Sequence, residues 1–271
     1  MSLLNTFYPQ HLLPTGEQCP VCIDPINLVV CLPPAGGRHL LALVGDLVER
    51  LRPHVGAAAG LLDGRHFMLW RRPDPTEARL LVLPAPDPQR PDPQRPGPIW
   101  CAGGPVGLLD LATTTQLLRE CAPPDLEDWH TAVAGTEPAR PWWHYLDAHN
   151  ADPDGYPAAR AIADFEAQPR IAAMVAAPAT DAGDRFTPDM YGPGLEALHT
   201  GDPDVYADYQ AGLLTFGDGL VTLDGQLLIP SFSPVLVEQT LAERQVFHDR
   251  ARDYVAALDP TTLLVAVTCL P

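Results

Sequence analysis

Two short apolar runs near opposite ends of the chain limit its possible folds more than any other feature. Residues 26–32 read INLVVCL, and residues 262–269 read TLLVAVTC. Nearly continuous apolar runs of this length are typical of strands that are buried on both faces. Such strands need packed layers on both sides of their sheet. We therefore predict a mixed α/β fold with a central β-sheet flanked by helices, and we expect the 262–269 strand to lie inside that sheet.

Apolar periodicity and turn residues predict the remaining elements. The central sheet is expected to contain 26–32, 78–83 and 262–269, with shorter strands at 66–71 and 99–102. Helices are predicted at 38–52 (ended by Pro53), at 107–121, across a largely helical segment at about 126–213, and at 233–258. In the helical segment, Asp154 is the predicted N-cap of a helix over 158–177, which Pro169 should divide. Asp224-Gly225 lies between two apolar runs and predicts a hairpin over 219–230.

Proline marks the irregular parts of the chain, which has 32 prolines among its 271 residues. Residues 1–25 are expected to form an irregular lead-in. Residues 85–98 contain the pentapeptide PDPQR twice in succession, and we interpret them as an exposed loop. No shift in composition marks a second domain, so residues 1–271 are predicted to form a single domain.

The charge balance is strongly acidic, with 34 acidic and 17 basic residues and a formal net charge of −17. This charge repels nucleic-acid phosphates and anionic membrane surfaces, so neither is an expected partner. A basic partner protein or a cationic ligand suits the same charge. No run of 18 apolar residues is present, and the N-terminus lacks the basic and apolar regions of a signal peptide. We therefore expect a cytoplasmic location.

All 17 basic residues are arginine, so the chain is lysine-free. This excludes Schiff-base chemistry on lysine and the lysine of a phosphate-binding loop. We predict no resident cofactor. Six cysteines in a cytoplasmic chain indicate free thiols rather than a disulfide framework. Cys19 and Cys22 form a lone CxxC pair, which is incidental, a partial zinc site or a redox pair.

Two glycine pairs are predicted to follow a strand and precede a helix. Gly36 and Gly37 follow the 26–32 strand, and Gly103 and Gly104 follow the 99–102 strand. Backbone N–H groups at such a turn can bind an anion, so both pairs are weak ligand-binding candidates. The alternative is that glycine only allows close packing there.

Both units resemble parts of the α/β-hydrolase family. The first looks like the strand and Pro/Gly-rich oxyanion loop of its thioesterases. The second, Gly103-Gly104-Pro105-Val106-Gly107, has the spacing of the nucleophile elbow Gly-x-Ser-x-Gly, but Pro105 stands where the serine should be. The resemblance covers about 15 residues and implies a degenerate hydrolase-like protein that lacks the nucleophile.

The segment 142–156 contains the densest group of candidate ligands. His144, His149, Asp152 and Asp154 are candidate metal ligands. Residues 150–155 match the opening of a calcium loop, but Ala161 occupies the twelfth position, where a glutamate is required. A helix-capping turn is the alternative. Trp142 and Trp143, with Tyr145 and Tyr156 nearby, are candidates for an aromatic ligand-binding surface or for core packing.

Three functional hypotheses follow. The first is an acidic, non-catalytic binding or accessory protein that acts through protein–protein contacts. The second is an enzyme with an unrecognised acid/base or metal-assisted site near His144, His149 and the glycine turns. The third is the degenerate hydrolase-like protein.

Overall fold

The computed structural model describes residues 26–36, 44–55, 59–61, 67–68, 81, 100–177, 192–230 and 240–269. The strands are β1 (Ile26–Leu32), β2 (Ala59–Leu61), β3 (Phe67–Met68), β4 (Trp100–Cys101), β5 (Gly103–Pro105), β6 (Gly219–Val221), β7 (Leu227–Leu228) and β8 (Leu263–Cys269). The main sheet has the order β2-β8-β1-β6-β7, and β5 also pairs with β8. The strands β3 and β4 form a separate antiparallel pair.

The two long strands, β1 and β8, form the centre of the sheet, as their apolar runs predict. They pair antiparallel along their whole length, from Ile26 opposite Cys269 to Leu32 opposite Leu263. On its other side β1 pairs in parallel with β6. The other edge of β8 contacts β2 and β5, one after the other along its length. The prediction that the 262–269 strand lies inside the sheet is therefore confirmed.

Helices follow in the order α1 (Val44–Val55), α2 (Leu111–Ala132), α3 (Trp142–Ala151), α4 (Ala158–Glu166), α5 (Pro169–Ala176), α6 (Pro193–Thr200), α7 (Pro203–Phe216) and α8 (Leu241–Ala256). Of the helices in the described ranges, none combines the length and apolarity needed to cross a membrane.

Each face of the sheet packs against a different helix. Alternate β1 residues, such as Leu28 and Val30, point towards Leu47 and Leu51 of α1. The intervening residue Val29 faces the opposite side, where α8 packs. Alternation with a period of two gives each buried strand one set of side chains for each layer.

A third apolar cluster lies within the helical layer, among α2 to α7 and the start of α8. Its members include Trp129, Phe165, Leu198, Tyr206 and Leu241. The helices α2 and α7 pack against each other, and α7 also packs against α8, which joins this layer to the sheet. The mixed α/β class, with helices around a sheet and a largely helical segment, is thus confirmed over the described residues.

Several predicted helix ends are wrong. Pro53 lies inside the last turn of α1 instead of ending the helix before it. The helix predicted at 107–121 is α2, which begins after the N-cap Asp110 and continues to Ala132. The helix predicted from 233 begins at Leu241 because Thr240 and Glu243 form a capping box there.

The turn before α4 also differs from prediction, because Pro157 and not Asp154 occupies the N-cap position of that helix. The division at Pro169 is confirmed, since α4 ends at Glu166 and Pro169 opens α5. The predicted hairpin is confirmed as β6 and β7, which pair around Asp224-Gly225.

Some predictions fall outside the described residues. These are the lead-in 1–25 with Cys19 and Cys22, the whole 85–98 loop, and Gly37. Of the predicted strand 78–83, only Leu81 is described, as a buried bend.

Candidate functional site

An open cleft of about 500 Å³ lies where the parallel strands β1 and β6 end. Its lining comes from the loop after β1, from α1 and from the turn after β6. The lining residues are Pro33, Asp46, Glu49, Arg50, Pro53, Asp224 and Gly225. The carboxyl ends of neighbouring parallel strands meet at one edge of a sheet, and ligands in open α/β sheets bind outside that edge. The cleft is therefore the candidate functional site.

Two side chains of α1 hold the hairpin turn in place beside the helix. Nη1 of Arg50 donates hydrogen bonds to the carbonyl oxygens of Thr222, at 2.9 Å, and Leu223. One turn further along the helix, Nε2 of His54 donates to the carbonyl oxygen of Gly225 at 3.0 Å. These contacts position the turn as the second wall of the cleft.

The hairpin turn presents Asp224 as an ionised carboxylate. The hydroxyl of Thr222 donates to Asp224 Oδ1. This hydrogen bond, with smaller contributions from backbone N–H groups and from the charge of Arg50, lowers the pKa of Asp224 below its ordinary value. Gly225 adopts a positive φ of 83°, which glycine accepts without strain and which closes the turn.

The walls of the cleft are predominantly acidic. Asp46 and Glu49 project from exposed positions of α1, and Asp224 is exposed on the opposite wall. Glu49 also pairs with Arg52 at 2.8 Å, where both side chains are mostly solvent-exposed. The lining thus combines three carboxylates with one guanidinium, that of Arg50, which is bound to backbone carbonyls. This arrangement suits a cationic group better than an anionic one.

The second glycine pair does not form the predicted turn. Gly103 and Gly104 belong to strand β5 and pair with β8, so the chain does not pass directly from a strand through this pair into a helix. The nucleophile-elbow interpretation around Pro105 is therefore wrong in its geometry. Gly103 is needed for close packing, since a Cβ there would lie 2.1 Å from the carbonyl oxygen of Leu264. Gly36 forms an exposed turn after β1 with a φ of 57°.

The candidate metal ligands engage separate partners. Nε2 of His144 lies 3.1 Å from Nη1 of Arg140, while Nδ1 of His149 lies 2.9 Å from the carbonyl oxygen of Tyr156. Asp152 Oδ1 accepts a hydrogen bond from the backbone N–H of Gly155, which makes this segment a capping-type turn.

Asp154 is exposed in that same turn. Over the described part of the chain, no three His, Cys, Asp or Glu residues form a group that could hold a metal ion. The structure therefore does not bring His144, His149, Asp152 and Asp154 together as ligands.

The aromatic candidates belong mainly to the core of the helical layer. Trp142 is 8% exposed and packs edge-on against Phe165, with ring centroids 5.5 Å apart. Tyr145 contacts the same Phe165 ring at 5.8 Å. Trp143 is half-buried. The contacts of Trp142 and Tyr145 favour the core-packing alternative over an aromatic binding surface.

A buried polar contact joins the sheet to the helical layer. Arg244 of α8 is 5% exposed, and its Nη1 donates to the carbonyl oxygen of Gly217 at 3.3 Å and to Asp218 Oδ1 at 3.2 Å. Asp218 in turn accepts from the N–H of Asn27 at 2.9 Å. The network links the start of β1, the start of β6 and α8.

His248 lies one turn beyond Arg244 and is 3% exposed. Its ring packs against Gly212 of α7, and its Nε2 has no hydrogen-bond partner among the residues that the structure describes. Burial, reinforced by the charge of Arg244, lowers the pKa of His248 to about 3. The imidazole is therefore neutral at physiological pH and has a packing role.

Two of the predicted free thiols are buried in the sheet region. Burial raises the pKa of Cys31 to about 12 and that of Cys101 to about 11. Both thiols are therefore protonated and unreactive. Cys121, on α2, is a free thiol at the surface.

The residues that shape the cleft were not among the site candidates from the sequence. The sequence predicts Asp224 and Gly225 only as a hairpin turn, and it places Arg50 only within the predicted 38–52 helix. Comparison with protein-family models, curated proteins and solved structures finds no match to this chain.

Proposed function

We propose that this protein acts by binding, as a non-catalytic accessory protein that recognises a basic segment of a partner protein at the cleft between α1 and the β6–β7 hairpin. The observation that carries the proposal is the set of three carboxylates, Asp46, Glu49 and Asp224, on facing walls of one open cleft. Lysine and arginine side chains of a partner form charge-assisted hydrogen bonds with such carboxylates.

The electrostatics of the whole chain support the same partner chemistry. The formal net charge of −17 attracts a basic protein from a distance. Complementary charge increases the association rate and selects among partners. The lowered pKa of Asp224 keeps its charge available at neutral and mildly acidic pH.

The position of the cleft supports binding through a preformed surface. Arg50 and His54 tie the hairpin turn to α1 through three backbone carbonyls. Because the two walls are held together before a partner arrives, little conformational freedom is lost on binding.

We place the protein in the cytoplasm as part of the same proposal. Cys31 and Cys101 are buried free thiols in the described structure, and reduced thiols are typical of cytoplasmic proteins.

Charge reversal in the cleft tests the proposal. The double variant Asp46→Arg/Glu49→Arg converts one wall from acidic to basic. The matched control, Glu127→Arg/Asp147→Arg, makes the same change in net charge at exposed positions of α2 and α3. Each chain is purified gently from the organism that encodes it, and native mass spectrometry measures the protein that remains bound. Far-UV circular dichroism checks that both variants are folded.

We expect wild type and control to retain a stoichiometric protein partner, and we expect the cleft variant to lose at least about tenfold in affinity for it. Equal retention by the cleft variant would overturn the assignment to the cleft. A wild-type chain that carries only a small molecule of defined mass, or no partner at all, would overturn the proposal that it binds a protein.

A further inference from the structure

The strand β7 ends the main sheet on the side of the hairpin. Within the described residues β7 has one neighbouring strand, β6. The side chains of Leu227, Leu228 and Ile229 are all partly exposed. An edge strand leaves one row of backbone N–H and C=O groups directed away from the sheet, and these groups can pair with another extended chain.

The hairpin register shows which backbone groups point outwards. Leu220 lies opposite Leu228, and Val221 lies opposite Leu227. The N–H of Thr222 donates to the carbonyl oxygen of Gln226 at 2.8 Å, so this pair is of the hydrogen-bonded type. Bonded and non-bonded pairs alternate along an antiparallel ladder.

It follows that the backbone N–H and C=O groups of Leu228 point inwards, towards Leu220. The N–H and C=O groups of Leu227 and Ile229 then face outwards. Two donors and two acceptors at this spacing match the pairing edge of an extended peptide.

The sequence around β7 lacks the charged residues that commonly prevent another strand from pairing with a sheet edge. Residues 226–230 read QLLIP and contain no charged side chain. Pro230 has no N–H, but by the same alternation an N–H at position 230 would point inwards, towards β6. The outward donors of Leu227 and Ile229 are therefore retained. Edge strands are otherwise protected by charged residues or by proline at outward positions.

We infer that the outer edge of β7 binds an extended basic segment of the partner protein, which pairs with Leu227 and Ile229 as an added strand. This inference rests on the proposed function and names the form that the partner takes. Charge complementarity selects the partner: the ionised Asp224 lies at the tip of the same hairpin, and the chain carries a net charge of −17. A second copy of this chain, equally acidic, is repelled.

A synthetic peptide can probe the edge in the full-length protein. The probe is a capped heptapeptide of alternating valine and threonine with an arginine at each end. Two further versions carry N-methyl groups on alternate amides, one on the odd and one on the even positions. A fourth version has glutamate at both ends. Amide hydrogen exchange is followed at Leu227 and Ile229, with Leu228 as the internal control because its N–H already faces β6.

We expect the basic peptide to slow exchange at Leu227 and Ile229 and to leave Leu228 unchanged. One N-methylated version should bind at least about tenfold more weakly, because only one set of peptide amides faces β7, and the other should bind like the parent. The glutamate version should also bind at least about tenfold more weakly.

Three results would overturn the inference: no slowing at Leu227 and Ile229 at about 1 mM peptide, equal binding of both methylated versions, or equal binding of the glutamate version. The experiments can reject the edge proposal and the cleft proposal independently of each other. Peptide protection at β7 with an unaffected cleft variant rejects the cleft proposal alone. A partner that is lost by the cleft variant, combined with unprotected β7 amides, rejects the edge alone.

Discussion

Substitution of Gly212 by alanine should destabilise the protein, although alanine is the better helix former. Gly212 lies within α7, where its Cα faces the imidazole of His248 on α8. A Cβ at this position would lie 2.1 Å from Nδ1, 2.6 Å from Cγ and 2.7 Å from Cε1 of that ring. The ring has little room to retreat because His248 is 3% exposed.

The magnitude follows from two opposing effects. Inserting a methyl group into a closely packed contact costs about 1–3 kcal/mol, and a separation this short places the cost near the upper end, about 3 kcal/mol. Replacing glycine by alanine within a helix regains about 1 kcal/mol. The free energy of unfolding of Gly212→Ala should therefore fall by about 2 kcal/mol, measured by chemical denaturation.

Gly45→Ala is the matched control. Gly45 is exposed within α1, and a Cβ there would meet no atom within 4 Å. This substitution should stabilise the protein by up to about 1 kcal/mol. In the variant His248→Ala the ring that would clash is absent. Adding Gly212→Ala to this variant should therefore not lower the free energy of unfolding further. If Gly212→Ala stabilises the protein as Gly45→Ala does, the steric reasoning is refuted.

Two further predictions concern buried groups. His248 has a folded-state pKa of about 3 against an ordinary 6.5, so the unfolded chain takes up its proton first. The free energy of unfolding of the wild type should therefore fall, relative to that of His248→Leu, as the pH is lowered from 6.5 towards 3. The difference should reach at most about 5 kcal/mol. Parallel stability–pH curves for the two proteins would contradict this. Gly103→Ala should cost at least about 3 kcal/mol in chemical denaturation, because its Cβ would meet the Leu264 backbone; an unchanged midpoint would contradict it.

The elements that could be predicted from the sequence are those with a strong local signal. The strand 26–32 is confirmed with its predicted bounds because its apolar run is short, continuous and followed by Pro33-Pro34. The hairpin around Asp224-Gly225 is confirmed for a similar reason, since the turn type requires a residue such as Gly225 with positive φ. Pro169 divides a helical run because proline is tolerated in the first turn of a helix but not in its interior.

The errors have two different physical causes. The start of α8 differs from the predicted 233 although its signal is local, because Thr240 and Glu243 have the spacing of a capping box. The strand at Gly103 has no local signal. Glycine and proline disfavour strands, and Gly103–Pro105 becomes one because the backbone of β8 provides pairing partners more than 150 positions away.

The cleft could not be predicted because it depends on contacts of the same long range. In the sequence Arg50 is only a charged residue of the predicted 38–52 helix, and its carbonyl acceptor on Thr222 is 172 positions away. That contact exists because β1 and β6 pair in parallel, which brings the loops after both strands to one edge of the sheet. Neither Arg50 nor Asp224 belongs to a recognisable motif. The strand order brings these two residues together. The acidic cleft therefore cannot be recognised from any short segment of the sequence.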